Sequence, residues 1–221
     1  DGQATGTITN DDTSGQFGLD ARPSNATCLA GDRPSGGGGV DTQYVKDSGF
    51  TEPTKIIQAP GEPTRWYVLE KGGRVRRFDV ASPNTVTTVI DLAAKVDARG
   101  EGGLLGIAFH PDYPNTQQVF VSYTAPGTGG FEMQSRISRL TLNGTTAPPE
   151  EILLTLNQPT IYHKAGDIAF GPDGYLYGSF GDAARDPALR DAQDTTSLLG
   201  TFVRIDVTGA GVPAGGYAIP A

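Results

Sequence analysis

Two stretches of the chain are nearly the same: Ile107-Ala108-Phe109-His110-Pro111-Asp112 and Ile168-Ala169-Phe170-Gly171-Pro172-Asp173 share Ile-Ala-Phe-x-Pro-Asp. Each is a short β-rich run closed by a Pro-containing turn in which proline presets φ, and in the second copy Gly174 supplies φ > 0. Similar units surround both copies. The clearest lies in residues 161–206, where Ile168, Phe170, Tyr175, Tyr177 and Phe180 form two runs around Gly171-Pro172-Asp173-Gly174. The alternating run Phe202-Val203-Arg204-Ile205-Asp206-Val207 follows, as a strand with one buried face requires. Earlier copies run through Ile107–Asp112, Val119–Tyr123 and Arg136–Leu142, and before that through Lys55–Gly61, Arg65–Glu70 and Arg74–Val80. Aligned on Ile57, Ile107 and Ile168, or on Arg77, Arg139 and Arg204, the units recur every ~50–65 residues.

Units of three or four strands at this period are expected to stack, because no unit buries both faces of its sheet alone. The prediction is an all-β fold of the β-propeller type. A β-sandwich also has closely spaced strands but does not account for the self-similarity. Propellers close with roughly four to eight blades, so three units read as about half a ring. Composition agrees, with 31 glycines and 16 prolines among 221 residues, which suits many short strands joined by turns.

The ends read differently. Residues 1–12 hold one expected strand, Ala4 to Thr9, followed by Asn10-Asp11-Asp12, and no adjacent run to pair with it. This segment resembles the last strand of a Calx-β domain. Residues 13–43, rich in Gly, Ser and Pro, read as a linker, and 44–221 as the partial propeller. On this reading the chain comes from a larger multidomain protein, and Tyr217–Ala221 runs toward a further blade. Cys28 is the only cysteine, so it is a free thiol or pairs outside the chain. Asn25-Ala26-Thr27 and Asn143-Gly144-Thr145 fit the glycosylation triplet, a pattern common by chance.

A formal net charge of −8 and a pI near 4.7 argue against nucleic acid and anionic lipid, both of which demand a basic surface. No apolar run is long enough to span a bilayer, and no signal-like pattern follows Asp1; any leader is expected outside these residues.

His163 stands out among the two histidines because it lies just upstream of the clearest unit. Histidine suits proton removal near neutral pH, although one beside a turn is more often a surface or capping residue. His110, in a Phe-His-Pro-Asp turn with Gly171 as its counterpart, reads as structural. Glu101, flanked by glycines, is an ordinary loop carboxylate or a site residue. Asp182, Asp186, Asp191 and Asp194 could suggest calcium, but their irregular spacing favours turn caps. Lys164 and Arg185 carry the charge to face an anionic cofactor, but charged loop residues are too frequent to rank them.

Three motifs carry a family resemblance: Gly100-Glu101-Gly102-Gly103-Leu104-Leu105-Gly106 through Tyr113; His163-Lys164-Ala165-Gly166-Asp167 through Gly174; and Ala192-Gln193-Asp194 through Ser197-Leu198-Leu199-Gly200 to Val207. With Trp66 to Phe78 they resemble the glucose/sorbosone dehydrogenases, soluble quinoproteins with a six-bladed propeller. The resemblance implies oxidation of an aldose at its anomeric carbon with pyrroloquinoline quinone (PQQ) and calcium, in the periplasm or outside a bacterial cell. It implies His163 as the catalytic base and Glu101 as a polar residue near the quinone. The basic quinone ligands and calcium carbonyls of the family belong to later blades. Around the base the family shows His-Asn-Gly-Gly or Asp-His-Gln-Ser-Gly, whereas this chain has Tyr162-His163-Lys164-Ala165-Gly166, so Tyr162 stands where an acidic neighbour is expected.

Three functions follow as alternatives: a quinone-dependent sugar dehydrogenase passing electrons to an unidentified acceptor, a noncatalytic propeller for binding or adhesion, or self-assembly through exposed strand edges.

Overall fold

The computed structural model describes residues 45, 46, 48–184, 191–209 and 211–220. The readings of 1–12 and 13–43, Cys28, Asn25, Arg185, Asp186 and the side chain of Asp191 lie outside them. Short β-rich runs parted by turns become eleven strands within the described residues. They are β1 Pro53–Ile57, β2 Arg65–Glu70, β3 Arg74–Asp79, β4 Ser82–Asp91, β5 Leu104–Phe109, β6 Gln118–Pro126, β7 Met133–Thr141, β8 Glu150–Gln158, β9 Ile168–Phe170, β10 Leu176–Ser179 and β11 Phe202–Ile205.

Three antiparallel meanders result, β1-β2-β3-β4, β5-β6-β7-β8 and β9-β10-β11. The all-β, propeller-type expectation with about three blades is met. The units read from sequence were three strands long, and the structure adds a fourth, β4 and β8, to the first two sheets. Both added strands are half exposed, and β4 is rich in Thr with only Ile90 fully buried, so the apolar alternation that marks a strand is weak there. In the third unit, Gly174 at φ 81° turns β9 back onto β10, setting Phe170 opposite Leu176 and Ile168 opposite Gly178.

The core lies between the sheets. Strand β6 is buried from Val119 to Ala125 because both of its faces are covered. Val119, Val121 and Tyr123 pack with Tyr67, Leu69, Val75 and Ile90 of the first sheet. Phe120, on the opposite face, packs with Ile137 and Leu154 against Ile168, Leu176 and Ile205 of the third. Strand periodicity sends alternate side chains to alternate faces, and a strand buried on both reads as a continuous apolar run. Each such side chain contributes ~1.5–3 kcal/mol when removed from water. Edge-on aromatic pairs, Tyr67–Phe109 at 4.8 Å and Phe120–Phe170 at 5.2 Å, join neighbouring sheets.

The first strands of successive sheets adjoin. Thr54 Oγ1 on β1 donates to the Leu104 carbonyl on β5 (2.7 Å), and Lys55 donates to the Ile168 carbonyl on β9 (3.2 Å) and pairs with Asp167. Because each sheet is an up-and-down meander, the connection from its last strand to the next sheet's first strand emerges at the same end as the loop between second and third strands. The β4–β5 connection carrying Glu101, the β8–β9 connection carrying His163 and the β10–β11 loop carrying Asp182 therefore share one end. The β5–β6 and β9–β10 turns, with His110 and Asp173, sit at the other.

Candidate active site

Three loops converge at that shared end. Glu101 N–H donates to the Ile161 carbonyl (3.0 Å), and Gly181 N–H donates to the Lys164 carbonyl (3.2 Å). Thr160 Oγ1 donates to the Ala183 carbonyl. The approach is close enough to require glycine: a Cβ on Gly181 would stand 1.8 Å from the His163 carbonyl oxygen.

At the centre the His163 side chain is 57% exposed, and its Nδ1 lies 2.7 Å from Asp182 Oδ1. The Asp182 carboxyl is held below the usual carboxylate range, first by the N–H of Ala184 and then by His163. An ionised carboxylate only accepts hydrogen bonds, so Nδ1 carries the hydrogen, and in the neutral ring Nε2 keeps the lone pair. The pair is thus arranged as a base with an orienting acid. The His163 N–H is also anchored, donating to Glu101 Oε2 at 2.6 Å. Glu101 and His163, both predicted as site residues, are brought together, with Glu101 holding the histidine backbone.

Four non-glycine residues around the pair have left-handed backbones: His163 (φ 51°), Ala165 (49°), Ala183 (63°) and Ala184 (48°). Each costs roughly 1–3 kcal/mol and persists only where surrounding bonds impose it. Here the bonds from Glu101, Thr160, Gly181 and Asp182 impose it.

Beside His163, Lys164 turns inward and is 1% exposed. Its Nζ donates to Gln158 Oε1 (2.9 Å), and Gln158 Nε2 donates to Ser135 Oγ (2.9 Å). Burial pulls the ammonium down to about 8, with the charge of Glu101 opposing the shift.

The sequence placed Tyr162 where an acidic partner was expected; the structure brings that partner from Asp182. Its only sequence signal was its place just after the second strand of the clearest unit. Asp182 is at the same time a turn cap for Ala184 N–H (3.0 Å), and Asp194 caps Thr196 N–H (2.9 Å). Among the described residues no group of three or more His, Cys, Asp or Glu could hold a metal ion. His110 lies at the opposite end, where Nδ1 accepts from Asp112 N–H (3.0 Å) and the ring meets Phe170 edge-on; burial lowers its pKa.

The donor set decides what this end can hold. An exposed imidazole whose Nε2 has no hydrogen-bond partner among the described residues fits proton transfer to or from a bound hydroxyl. Among the described residues, Glu101, Asp182 and the buried Lys164 ammonium do not make a cradle for a tricarboxylate quinone.

Comparison with known proteins gives a consistent picture. The Glucose / Sorbosone dehydrogenase family model matches residues 50–216. Quinoprotein glucose dehydrogenase B of Acinetobacter calcoaceticus is 32% identical over 62% of this chain and 30% of its own length. Hedgehog-interacting protein of Mus musculus is 26% identical over 72% of this chain and 25% of its own. The PQQ-bound aldose sugar dehydrogenase of Streptomyces coelicolor superposes with a TM-score of 0.61 at 26% identity, over 78% of this chain and 51% of its own. The chain thus spans about a quarter to a third of the length of the curated relatives it matches.

Proposed function

The chain belongs to the glucose/sorbosone dehydrogenase family, and we propose from that premise that it supplies the proton-accepting part of a PQQ-dependent sugar dehydrogenase oxidising an aldose at its anomeric carbon. The observation that carries this reading is the 2.7 Å contact between His163 Nδ1 and Asp182 Oδ1. With Nδ1–H committed to Asp182, Nε2 accepts the proton of the anomeric hydroxyl. Asp182 then stabilises the imidazolium that forms, the role an orienting carboxylate has in any His–Asp pair. Glu101, through the His163 N–H, keeps the ring where the hydroxyl meets it. PQQ, held by residues outside those described, would supply the redox chemistry.

Quinone-carboxylate and calcium ligands are assigned to residues other than those described here. The proposal places the protein in the periplasm or outside the cell, as the family resemblance implies. No described helix is long and apolar enough to cross a membrane. Residues 1–12 as a Calx-β strand, 13–43 as linker and 44–221 as propeller complete the proposed organisation.

The test is dye reduction by the full-length protein with PQQ, calcium and a panel of aldoses, beside calorimetric titration of quinone into it. Turnover that His163→Ala lowers by ~10²–10⁴-fold without abolishing quinone binding supports the reading. Quinone binding with no aldose oxidation, or no effect of His163→Ala, removes it.

A second reading, a noncatalytic binding propeller, is favoured by the similarity to Hedgehog-interacting protein and by Tyr162-His163-Lys164 around the base. Failure of the full-length protein to bind quinone decides for it.

A further inference from the structure

Lys164 has no part in the proton transfer just described, yet it is the most deeply buried charged side chain beside it. An ammonium that is 1% exposed and has, among the described residues, one neutral hydrogen-bond partner, Gln158 Oε1 at 2.9 Å, is costly to keep. A methionine would fill the same volume without that cost. The position of the lysine explains what the charge does.

Its neighbours on both sides, His163 and Ala165, have left-handed backbones, so the loop sends His163 outward and Lys164 inward. The inward side chain is anchored on β8, since Gln158 is itself fully buried and bonded to Ser135 Oγ on β7. The Lys164 carbonyl accepts from Gly181 N–H (3.2 Å), directly before Asp182. On the other side, the negative charge of Glu101 acts on the ammonium while Glu101 Oε2 accepts from the His163 N–H.

We infer that Lys164 is a positioning residue for His163: through Gln158, Glu101 and Gly181 it sets the loop depth at which the imidazole meets Asp182. The inference rests on the reading of His163 as the base. It extends that reading to a residue that touches no substrate.

The experiment uses the full-length protein, and the His163 imidazole is assigned in its nitrogen-15 NMR spectra by single replacement of His163. Lys164→Met and Glu101→Gln are compared with the parent chain. The expected result in each is a fall of about twofold or more in the Nδ1–H form of neutral His163, with roughly tenfold faster exchange of that proton with water. Glu101 is at the surface, so its variant keeps the test decisive where Lys164→Met fails to fold. A His163 tautomer and exchange rate unchanged in the folded variants overturns the inference, even if melting temperature falls, since a packing role alone would lower only the latter.

Neither readout needs quinone or sugar. A protein that oxidises no aldose while His163 responds to Lys164→Met removes the enzymatic reading and leaves the coupling. An active protein whose His163 is indifferent to both variants removes the coupling alone.

Discussion

His163 Nδ1 and Asp182 Oδ1 stand 2.7 Å apart although they lie 19 positions apart in the chain. The whole of β9 and β10 lies between. The contact exists because a meander returns its second strand to the end from which its first strand set out.

Replacing Asp182 by Asn tests that contact most directly. The amide is nearly isosteric but no longer selects Nδ1–H, so the expected loss in turnover is ~10²–10⁴-fold with KM changed little. Steady-state kinetics of the full-length protein check it. A loss confined to KM would assign Asp182 to sugar binding instead. The acid side has a defined sign: the Asp182 pKa is lowered in the fold, so the stability it contributes is present above its ordinary value and lost as pH falls through the lowered one.

Gly181→Ala separates space from conformation. A Cβ there would stand 1.8 Å from the His163 carbonyl oxygen, a backbone atom that must move. Overpacking of this kind costs about 1–3 kcal/mol, and here turnover falls with it. Gly174→Ala is the control, because φ is 81° but nothing lies within 4 Å of the new methyl. It is expected to cost about 1 kcal/mol and leave turnover unchanged. Denaturant unfolding and kinetics on both variants distinguish the two effects; equal turnover would disprove the steric account.

Lys164 links stability to alkaline pH. Its pKa is brought from 10.5 down to about 8, so between those values the unfolded chain holds more protons than the folded one. The destabilisation from burying the charge is complete below about 8 and fades as pH rises toward 10.5. The stability of Lys164→Met relative to the parent should therefore be highest at pH 7 and fall by on the order of 2–3 kcal/mol by pH 11. Taking the difference between the two proteins cancels the tyrosines that titrate in the same range. A difference flat across that range would show that burial does not shift this lysine.

Arg139 joins the second sheet to the third. Its Nε donates to Glu151 Oε2 (2.8 Å) and its Nη1 to the Val207 carbonyl (3.1 Å). Arg139→Met is expected to lower stability by about 1–2 kcal/mol, and Arg139→Lys to recover less than half, because an ammonium lacks the planar fork. Full recovery by Lys in chemical denaturation would reduce the contact to simple charge.

Much of this architecture was legible before any coordinates. Ile-Ala-Phe-x-Pro-Asp occurring twice is enough to predict repeated sheets, since each strand's β-branched and aromatic residues and each Gly or Pro turn act locally. β4 was not legible: Thr85, Thr87 and Thr88 on a half-exposed outer strand carry no strong alternation. Of the candidate site, His163 and Glu101 were named from their motifs, while their direct contact, Glu101 Oε2 on the His163 amide, was not.

The sequence by itself determined the three inner strands of each unit, most turn positions, the repeat and the family, because these depend on residues near one another in the chain. Only the tertiary structure decided that Asp182 rather than Tyr162's position serves His163, that His110 lies at the far end, and that Lys164 points inward. Those outcomes depend on which loops a meander brings to the same end and on which atoms the packed sheets cover. That information arises when the strands pair and the sheets stack, and no local pattern holds it.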